Sequence, residues 1–343
     1  MDQMKGKQSV LFQTPVKIAG HACTAGKKEG EGPLGKHMDL VVEDPMFGKD
    51  NWEESESQFL RAASEIAIRK AKKKKEDVRI AFAGDLLGQL IGSSFGIEQL
   101  HIPFYGVYGA CSNIGAALSV AAMAVNGGFA DLALAASSSH FASAEKEFRF
   151  PLGYGSQRPY SATWTVTGAG AFLLNHQKGD VEIKGFTTGK IKDYGVQDPF
   201  NMGACMAPAA ADTIYQALED FDKRPEEFDR IITGDLGVVG QKLLFSLLGE
   251  NHIDISSNHM DCGIEIFNEE AQDTHAGGSG CACSAVVLSS MILPKLASGV
   301  WKRVLFVPTG ALLSQISANE GRTIPSIAHA VWLESAGGGK QEN

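Results

Sequence analysis

The chain has 343 residues and a net charge of −9, and 44% of its side chains are hydrophobic. This length predicts a large core and about two domains. The acidic balance argues against nucleic acid as a main partner, because phosphate binding needs clustered lysine and arginine. The N-terminal segment lacks the long apolar core of a secretory signal, and no stretch approaches the roughly 20 apolar residues that span a bilayer. We therefore expect a protein that is soluble or at most peripheral to a membrane.

The first half of the chain predicts alternating helices and strands. In order, these are an amphipathic helix over 53–74, an apolar strand that ends in Gly84-Asp85, a helix that begins at Cys111, a strand over 132–135, a polar loop over 137–167 and a closing strand over 168–175. The loop is long for a connection without secondary structure. We expect it to cover a site or to lie at a subunit contact.

The second half repeats this order without gaps inside the matched segments. Ala110-Cys111-Ser112 and the strand that follows recur from Ala282-Cys283-Ser284, 172 residues later, and the strand with its Gly-Asp turn recurs 150 residues later at Gly234-Asp235. The closing strand over 168–175 recurs 160 residues later, over 328–335. Strands that alternate with helices favour a mostly parallel sheet covered by helices. We therefore predict a duplicated α/β protein with one half over 1–195 and the other over 196–343.

Cys111 is the first candidate site residue. Its position predicts a helix N-terminus, where unpaired backbone N–H groups lower the pKa of a thiol. The alternative is a small buried side chain, the usual role of a free cysteine. The six scattered cysteines of the chain favour reduced thiols in either case.

The string Gly-Gly-Ser-Gly-Cys-Ala-Cys-Ser over 277–284 is the second candidate. Its glycines allow the backbone to approach a ligand closely, and the helix start that follows offers N–H donors. Cys281 and Cys283, joined by Cys262, are spaced too tightly for an ordinary zinc site. The string therefore favours a ligand-binding loop over a metal centre.

His140 and Asp85 are each either a site residue or a structural residue. His140 follows a predicted strand and has no counterpart in the other half, so it is either a site residue or a hydrogen-bonded loop histidine. Asp85 ends a strand, where aspartates commonly accept bonds from nearby N–H groups, but where ligands of such sheets also bind.

These features together resemble the thiolase and ketoacyl-synthase superfamily. Cys111 in Tyr108-Gly109-Ala110-Cys111-Ser112 matches the position of its nucleophilic cysteine. The resemblance covers nearly the whole chain. It implies an α/β thiolase-like duplicated fold, with two pseudo-twofold-related, mixed five-stranded sheets and helices packed in layers.

The chain also departs from that superfamily. Condensing enzymes place a histidine after the first strand of the second half, where this chain has Thr233-Gly234-Asp235-Leu236. They place a second histidine or an asparagine in the following glycine-rich loop, where this chain offers Cys281 and Cys283. Since a base for Cys111 and oxyanion donors are both missing, we do not expect acyl transfer.

Several strings are similar to one branch of the superfamily, the stage V sporulation protein AD family of endospore-forming bacteria. They are Gly84-Asp85-Leu86-Leu87, Gly109-Ala110-Cys111-Ser112, Ser138-Ser139-His140, Met206-Ala207-Pro208-Ala209, Asp261-Cys262-Gly263 and the string over 277–284.

This likeness implies a non-catalytic subunit that binds dipicolinic acid, or its calcium chelate, for a transport complex of the spore inner membrane. It implies uptake during sporulation and release in germination, a peripheral location, and integral-membrane partners in the stage V sporulation A complex. It implies no cofactor, with calcium entering only with the ligand. A homodimer follows from the superfamily.

The ligand would be a flat ring with two carboxylates, which needs an apolar slot and donors at both ends. The residues expected to bind it are Asp85, Cys111, Ser112, His140, Asp261, Cys262, Gly280, Cys281 and Cys283. Asp85 and Asp261 would need protonation or a bridging Ca²⁺ to tolerate the dianion. Arg149 and Arg158 are weaker candidates as carboxylate clamps.

Two other functions stay open on the sequence. One is a thioester-using condensing or acyl-transfer enzyme with Cys111 as nucleophile. The other is a structural adaptor with a vestigial pocket. Direct binding of dipicolinate separates both from the binding function.

Overall fold

The computed structural model of the chain describes residues 3–148 and 158–337. Strands occupy 16 segments of these residues. They are β1 (Met4–Lys5), β2 (Ser9–Gly26), β3 (Leu40–Val42), β4 (Ile80–Gly84), β5 (Phe104–Gly106), β6 (Ala133–Ser139), β7 (Trp164–Thr165), β8 (Gly168–Asn175), β9 (Val181–Thr187), β10 (Arg230–Thr233), β11 (His259–Asp261), β12 (Gly278–Ser279), β13 (Arg303–Val307), β14 (Thr309–Ala311), β15 (Ser326–Ala328) and β16 (Ala330–Ser335).

Helices alternate with these strands. They are α1 (Lys27–Gly30), α2 (Trp52–Lys70), α3 (Ile91–Glu98), α4 (Asn113–Asn126), α5 (Phe141–Phe148), α6 (Met202–Phe221), α7 (Gly237–Gly249), α8 (Cys262–Ile266), α9 (Glu269–Gln272), α10 (Cys281–Val287), α11 (Leu293–Ala297) and α12 (Gln315–Asn319). A π-helical stretch, Leu288–Ile292, joins α10 to α11. Across the described residues no helix combines the length and apolar character needed to cross a bilayer.

The strand order confirms the predicted duplication. One sheet runs β5-β4-β6-β8-β2 and the other β11-β10-β13-β16-β9. If the five strands of each sheet are numbered in chain order, both sheets have the strand order 3-2-4-5-1. In both, the first three strands of this order are parallel and the remaining pairs antiparallel.

The long strand β2 joins the two sheets. Its first part, around Ser9–Leu11, pairs with β9, and its second part, Lys17–Ala25, pairs with β8. Because β9 is the first strand of the second sheet, the structural repeat starts at Val181. The predicted division at 195/196 falls one strand after that point.

Helices and sheets alternate in five layers. The central layer contains α4 and the α10–α11 run, whose apolar residues share one core with the inner faces of both sheets. Val304 and Phe306 of β13 face this core, whereas Leu305 and Val307 face the outer core beneath α6. This alternation is the period-two pattern of a strand covered on both faces. The helix α2 covers the outer face of the first sheet.

The segment over 137–167, predicted as a loop that covers a site or a subunit contact, contains regular structure on both sides of residues 149–157, which lie outside the described residues. The strand β6 extends to Ser139, and α5 follows it directly. Near the end of the segment, β7 pairs with β12 from the second half, with Trp164 opposite Gly278 and Thr165 opposite Ser279. This short parallel pair holds the glycine-rich string against the first half of the molecule.

Candidate functional site

A pocket lies where the N-terminal ends of α4 and α10 approach each other. It opens to solvent, and the centre of a water molecule can occupy about 50 Å³ of it. We call it the Cys111 pocket. Its lining residues are Leu86, Tyr108, Ala110, Cys111, Ala144, Phe148, Thr165, Met202, Met206, Ser279, Gly280, Ala311 and Leu313. The wall is thus mostly apolar and aromatic, with a few polar atoms, as in small-molecule sites generally.

A tight turn presents Cys111 to this pocket. The 3₁₀ turn Ala110–Ser112 leads directly into α4, and Ala110 adopts a left-handed φ of 49°. Such a conformation is costly for a residue with a Cβ and persists where the surroundings hold it in place. Here the Ser112 hydroxyl donates to the Gly109 carbonyl at 2.6 Å. Ser112 therefore shapes the turn, and Cys111 is the cysteine of the chain that is only partly buried.

Asp235 and Ser279 face Cys111 from the second half. The Ser279 hydroxyl lies 3.9 Å from the Cys111 sulfur and donates to Oδ2 of Asp235 at 2.7 Å. The Asp235 carboxyl also accepts from the Gly280 N–H at 3.0 Å and from the Thr309 hydroxyl at 2.8 Å. A buried, fully hydrogen-bonded carboxyl group thus lies directly behind the pocket wall.

This arrangement opposes ionisation of the Cys111 thiol. Burial raises its pKa well above the ordinary value, and the neighbouring Asp235 raises it further. Burial also raises the pKa of Asp235 itself. Among the described residues that line the pocket, none is a lysine, arginine or histidine. The structure therefore surrounds the thiol with groups that favour its neutral form, which is a poor nucleophile.

Cys111 and Gly280 are the predicted site residues that line the pocket. Gly280 has a φ of 99°, and a Cβ at this position would lie 2.8 Å from the Ser139 hydroxyl oxygen. Only glycine fits there without strain. Because the Gly280 N–H is directed at Asp235, it is already used and does not point to an incoming anion.

The other three cysteines predicted as site residues lie behind the pocket wall. Cys281 is buried and donates to the Ala110 carbonyl at 3.1 Å, and Cys283 contacts the Gly234 carbonyl oxygen at 3.6 Å. Cys262 is buried in the core between the sheets. Burial raises the pKa of all three thiols. Ser279 is the residue of this glycine-rich loop that faces Cys111.

Asp85 and Asp261 organise the backbone of their own halves. Asp85 accepts from the N–H groups of Leu87 and Ser93 at 2.8 and 2.7 Å. Asp261 accepts from the Thr233 hydroxyl and from three backbone N–H groups, those of Leu236, Gly237 and Gly263. Neither carboxylate lines the Cys111 pocket. Among the described residues, no three or more His, Cys, Asp or Glu side chains are grouped so as to hold a metal ion.

His140 is held away from the pocket. Its Nε2 lies 2.9 Å from the Pro45 carbonyl oxygen, and its Nδ1 accepts from the Ala142 N–H at 3.1 Å. These contacts define a neutral imidazole, and burial lowers its pKa. The histidine packs against Trp52. The geometry therefore matches a hydrogen-bonded structural histidine and not a residue of the pocket.

Of the two predicted arginine clamps, Arg158 does not line the pocket. Arg158 donates to the Asp273 carboxylate at 2.8 Å and stacks on Trp164. Arg149 lies outside the described residues.

Sequence reasoning missed the residues that form most of this site. Asp235 and Ser279 flank Cys111, and Tyr108, Phe148, Met202 and Met206 form its apolar wall. The Gly-Asp repeat did mark Asp235, but the repeat marks Asp85 equally and gives no reason to prefer the second copy. The methionines lie in the first turns of α6, which begins at Met202.

Comparison with known families gives a match over nearly the whole chain. A sequence model described as Stage V sporulation protein AD matches residues 6–334. The curated Stage V sporulation protein AD of Bacillus subtilis (strain 168) is 43% identical over 336 residues, which covers 98% of this chain and 99% of that protein.

Similar solved structures share the fold at low sequence identity. The 3-oxoacyl-[acyl-carrier-protein] synthase III of Aquifex aeolicus VF5 has a TM-score of 0.56 at 16% identity, covering 93% of this chain and 99% of its own. Cerulenin-bound OleA of Xanthomonas campestris gives 0.58 at 18%, covering 94% and 98%. A tetronic acid condensing enzyme gives 0.58 at 17%, covering 93% and 100%. These similarities confirm the predicted thiolase-like fold.

Proposed function

Because this chain belongs to the stage V sporulation protein AD family, we propose that it is a non-catalytic binder of dipicolinic acid. The ligand enters as the acid or as its calcium chelate. The Cys111 pocket is its site, and the protein acts as a peripheral subunit of a transport complex at the spore inner membrane. There it serves dipicolinate uptake during sporulation and release in germination.

The observation that carries the absence of catalysis is the carboxyl group of Asp235 beside Cys111. Acyl transfer needs a thiolate, which a neighbouring base or cation produces. In this site the pKa of the thiol is raised by burial and by Asp235. The described pocket residues supply no imidazole or ammonium group that could reverse this effect. A chain that has the fold of condensing enzymes but keeps its cysteine thiol neutral is better suited to binding a ligand than to acyl transfer.

The lining of the Cys111 pocket suits an aromatic acid. Tyr108 and Phe148 supply aromatic rings, and Met202 and Met206 supply flexible apolar side chains. Ser279 and Thr165 add hydroxyl oxygens to the lining.

The partner proposals rest on surfaces away from the pocket. The strand β5 is the open edge of the first sheet, with Tyr105 64% exposed on it and Phe95 of the neighbouring α3 51% exposed. An open edge with apolar side chains favours pairing with another chain, and we propose that it pairs with a second copy. Integral-membrane proteins of the stage V sporulation A complex would then bind other faces.

Two measurements test the ligand and its location. Calorimetry with the purified chain and dipicolinate, with and without calcium, should show saturable binding. In the same samples N-ethylmaleimide should label Cys111 before the five buried cysteines, and saturating dipicolinate should slow this labelling at least about tenfold. The variant Cys111→Ala identifies the labelled thiol.

Each negative result has a distinct meaning. Binding without protection of Cys111 places the ligand elsewhere. The absence of any binding heat or protection leaves an adaptor that docks membrane subunits through its surface. A covalent acyl adduct on Cys111 after incubation with acyl-CoA, detected by mass spectrometry, would favour the condensing enzyme instead.

A further inference from the structure

We propose that the Cys111 pocket selects a ligand carboxyl group in its protonated form, so that each bound diacid carries a proton into the site. Asp235 is the residue that imposes this selection, acting through Ser279. The inference rests on the proposed function, because it takes the diacid as the ligand, and it concerns only the protonation state in which that ligand binds.

The first argument is the charge around the pocket. The described lining residues contain no cationic side chain, and the buried carboxyl of Asp235 lies next to Ser279, which in turn contacts Cys111. Charges interact strongly where water is excluded. A ligand carboxylate against Ser279 would therefore meet a negative charge with no compensating positive one.

The second argument is the direction of the hydrogen bonds. The Ser279 hydroxyl has one proton, which it donates to Asp235 Oδ2 at 2.7 Å. Its oxygen therefore presents only lone pairs to the pocket and accepts from a ligand O–H group. The Gly280 N–H and the Thr309 hydroxyl are likewise committed to Asp235. These three donors are therefore not free to hold a carboxylate, whereas the Ser279 oxygen is in place to accept from a carboxylic acid.

The other titratable groups near Asp235 do not offset its charge. Those that face it are the thiols of Cys111, Cys262 and Cys283 and the carboxyl of Asp261 on the next strand. Tyr108 and Glu147 lie toward the pocket mouth. All of these groups are neutral or negative in every protonation state. His329, whose Nε2 lies 3.9 Å from the place of a Cβ on Gly109, stays neutral above about pH 4 because burial lowers its pKa. These surroundings therefore disfavour an anion.

The same geometry favours the acid over the calcium chelate. Calcium in a chelate would take further oxygen ligands from the protein. Both Asp235 oxygens already accept hydrogen bonds, and Asp85 and Asp261 are occupied by donors of their own halves. No described cluster of acidic or imidazole side chains is arranged for a metal.

Calorimetry of dipicolinate binding to the whole chain tests the proposal directly. Titrations in two buffers of different ionisation enthalpy should show an uptake of about one proton per ligand. The affinity should fall about tenfold for each pH unit between about pH 6 and pH 8, as linkage to one proton requires. Adding calcium at the upper pH should not restore the affinity measured at the lower pH.

The variant Asp235→Asn tests the contribution of the Asp235 charge to binding. Its amide oxygen can still accept from Ser279 and Gly280, but its charge is gone. We expect tighter binding at pH 8, by at least about tenfold, and a shallower pH dependence. Asp85→Asn is the matched control, since Asp85 is the buried strand-end carboxylate at the equivalent place of the first half and lies off the pocket. It should keep the wild-type slope.

The outcomes distinguish this inference from the proposed function. Binding without proton uptake, or calcium that restores the affinity at pH 8, overturns the inference while the ligand assignment stands. Absence of binding across the whole pH range overturns both. If Asp235→Asn does not fold, the proton count of the wild-type chain decides the question alone.

Discussion

At the scale of single residues, Glu56 links the fold to pH. It is fully buried on α2 and accepts from the Ser138 and Ser143 hydroxyls at 3.1 and 2.7 Å. Burial and then the nearby Asp85 raise its pKa from 4.5 to about 8. The folded protein therefore holds a proton that the unfolded chain releases above about pH 4.5. The stabilisation is complete below that pH and is lost as the pH rises through about 8.

The variant Glu56→Gln should remove this contribution. We expect its melting temperature to equal that of the wild type near pH 5 and to exceed it at pH 8, where an ionised buried carboxylate costs the wild type at least about 1 kcal/mol. Thermal melts across this range measure it. Glu29 and Asp261 shift in the same direction, so some pH dependence should remain. An unchanged slope in the variant would contradict this account.

Asp85 and Asp235 show the limit of residue-level prediction. Both end a strand in the same Gly-Asp turn, and both are buried. What separates them is their neighbours: Asp85 binds backbone N–H groups of its own half, whereas Asp235 lies behind Ser279 and Cys111. The second set of neighbours comes from β12 and from the turn before α4, and no local pattern specifies that contact. The cysteine position, which depends on a helix start, was predictable.

At the scale of elements, the start of α10 depends on one glycine. Gly280 has a φ of 99° and abuts Ser139. We expect Gly280→Ala to lower the free energy of unfolding by about 1–3 kcal/mol, because it adds both strain and a clash. The matched control is Gly249→Ala at the end of α7, where an added Cβ meets open space, and it should leave stability unchanged or slightly raised. Denaturant unfolding of the two variants measures the difference. Equal stabilities would contradict the packing described.

Longer elements were predicted better than short ones. The helix predicted over 53–74 is α2, and the three apolar repeats correspond to β4 with β10, β6 with β13, and β8 with β16. Hydrophobic periodicity over many residues is enough for these. The two-residue pair of β7 and β12 has no such periodicity, yet it places Ser279 at the pocket. Its formation is a consequence of tertiary packing and is therefore invisible in a local pattern.

At the scale of the whole molecule, the open edge of the first sheet predicts the assembly. We expect the chain to be a dimer in solution and Tyr105→Asp to shift it to the monomer, since a charge on an edge strand opposes pairing. Sedimentation velocity at micromolar concentration measures this. Val300→Asp is the control, because Val300 is similarly exposed, at 67%, but lies at the end of the α10–α11 run in the other half. A monomeric wild type would contradict the prediction.

The whole architecture followed from internal repetition more than from any single motif. Gapless matches at three offsets predicted two similar halves, and the strand orders of the two sheets agree with them. The boundary between the halves was harder to predict from the sequence, because the repeat begins at β9 and no match between β2 and β9 was found.

The position of β2 has a consequence for synthesis of the chain on the ribosome. Its opening residues pair with β9, which emerges about 170 residues later, and its second part waits for β8. Throughout that interval the 18 residues of β2, with their apolar side chains, have left the ribosome before β8 and β9 are made. Such delayed, long-range pairing slows folding and exposes nascent chains to association with one another. Newly made chains should therefore depend on a holding chaperone until the second half begins to appear.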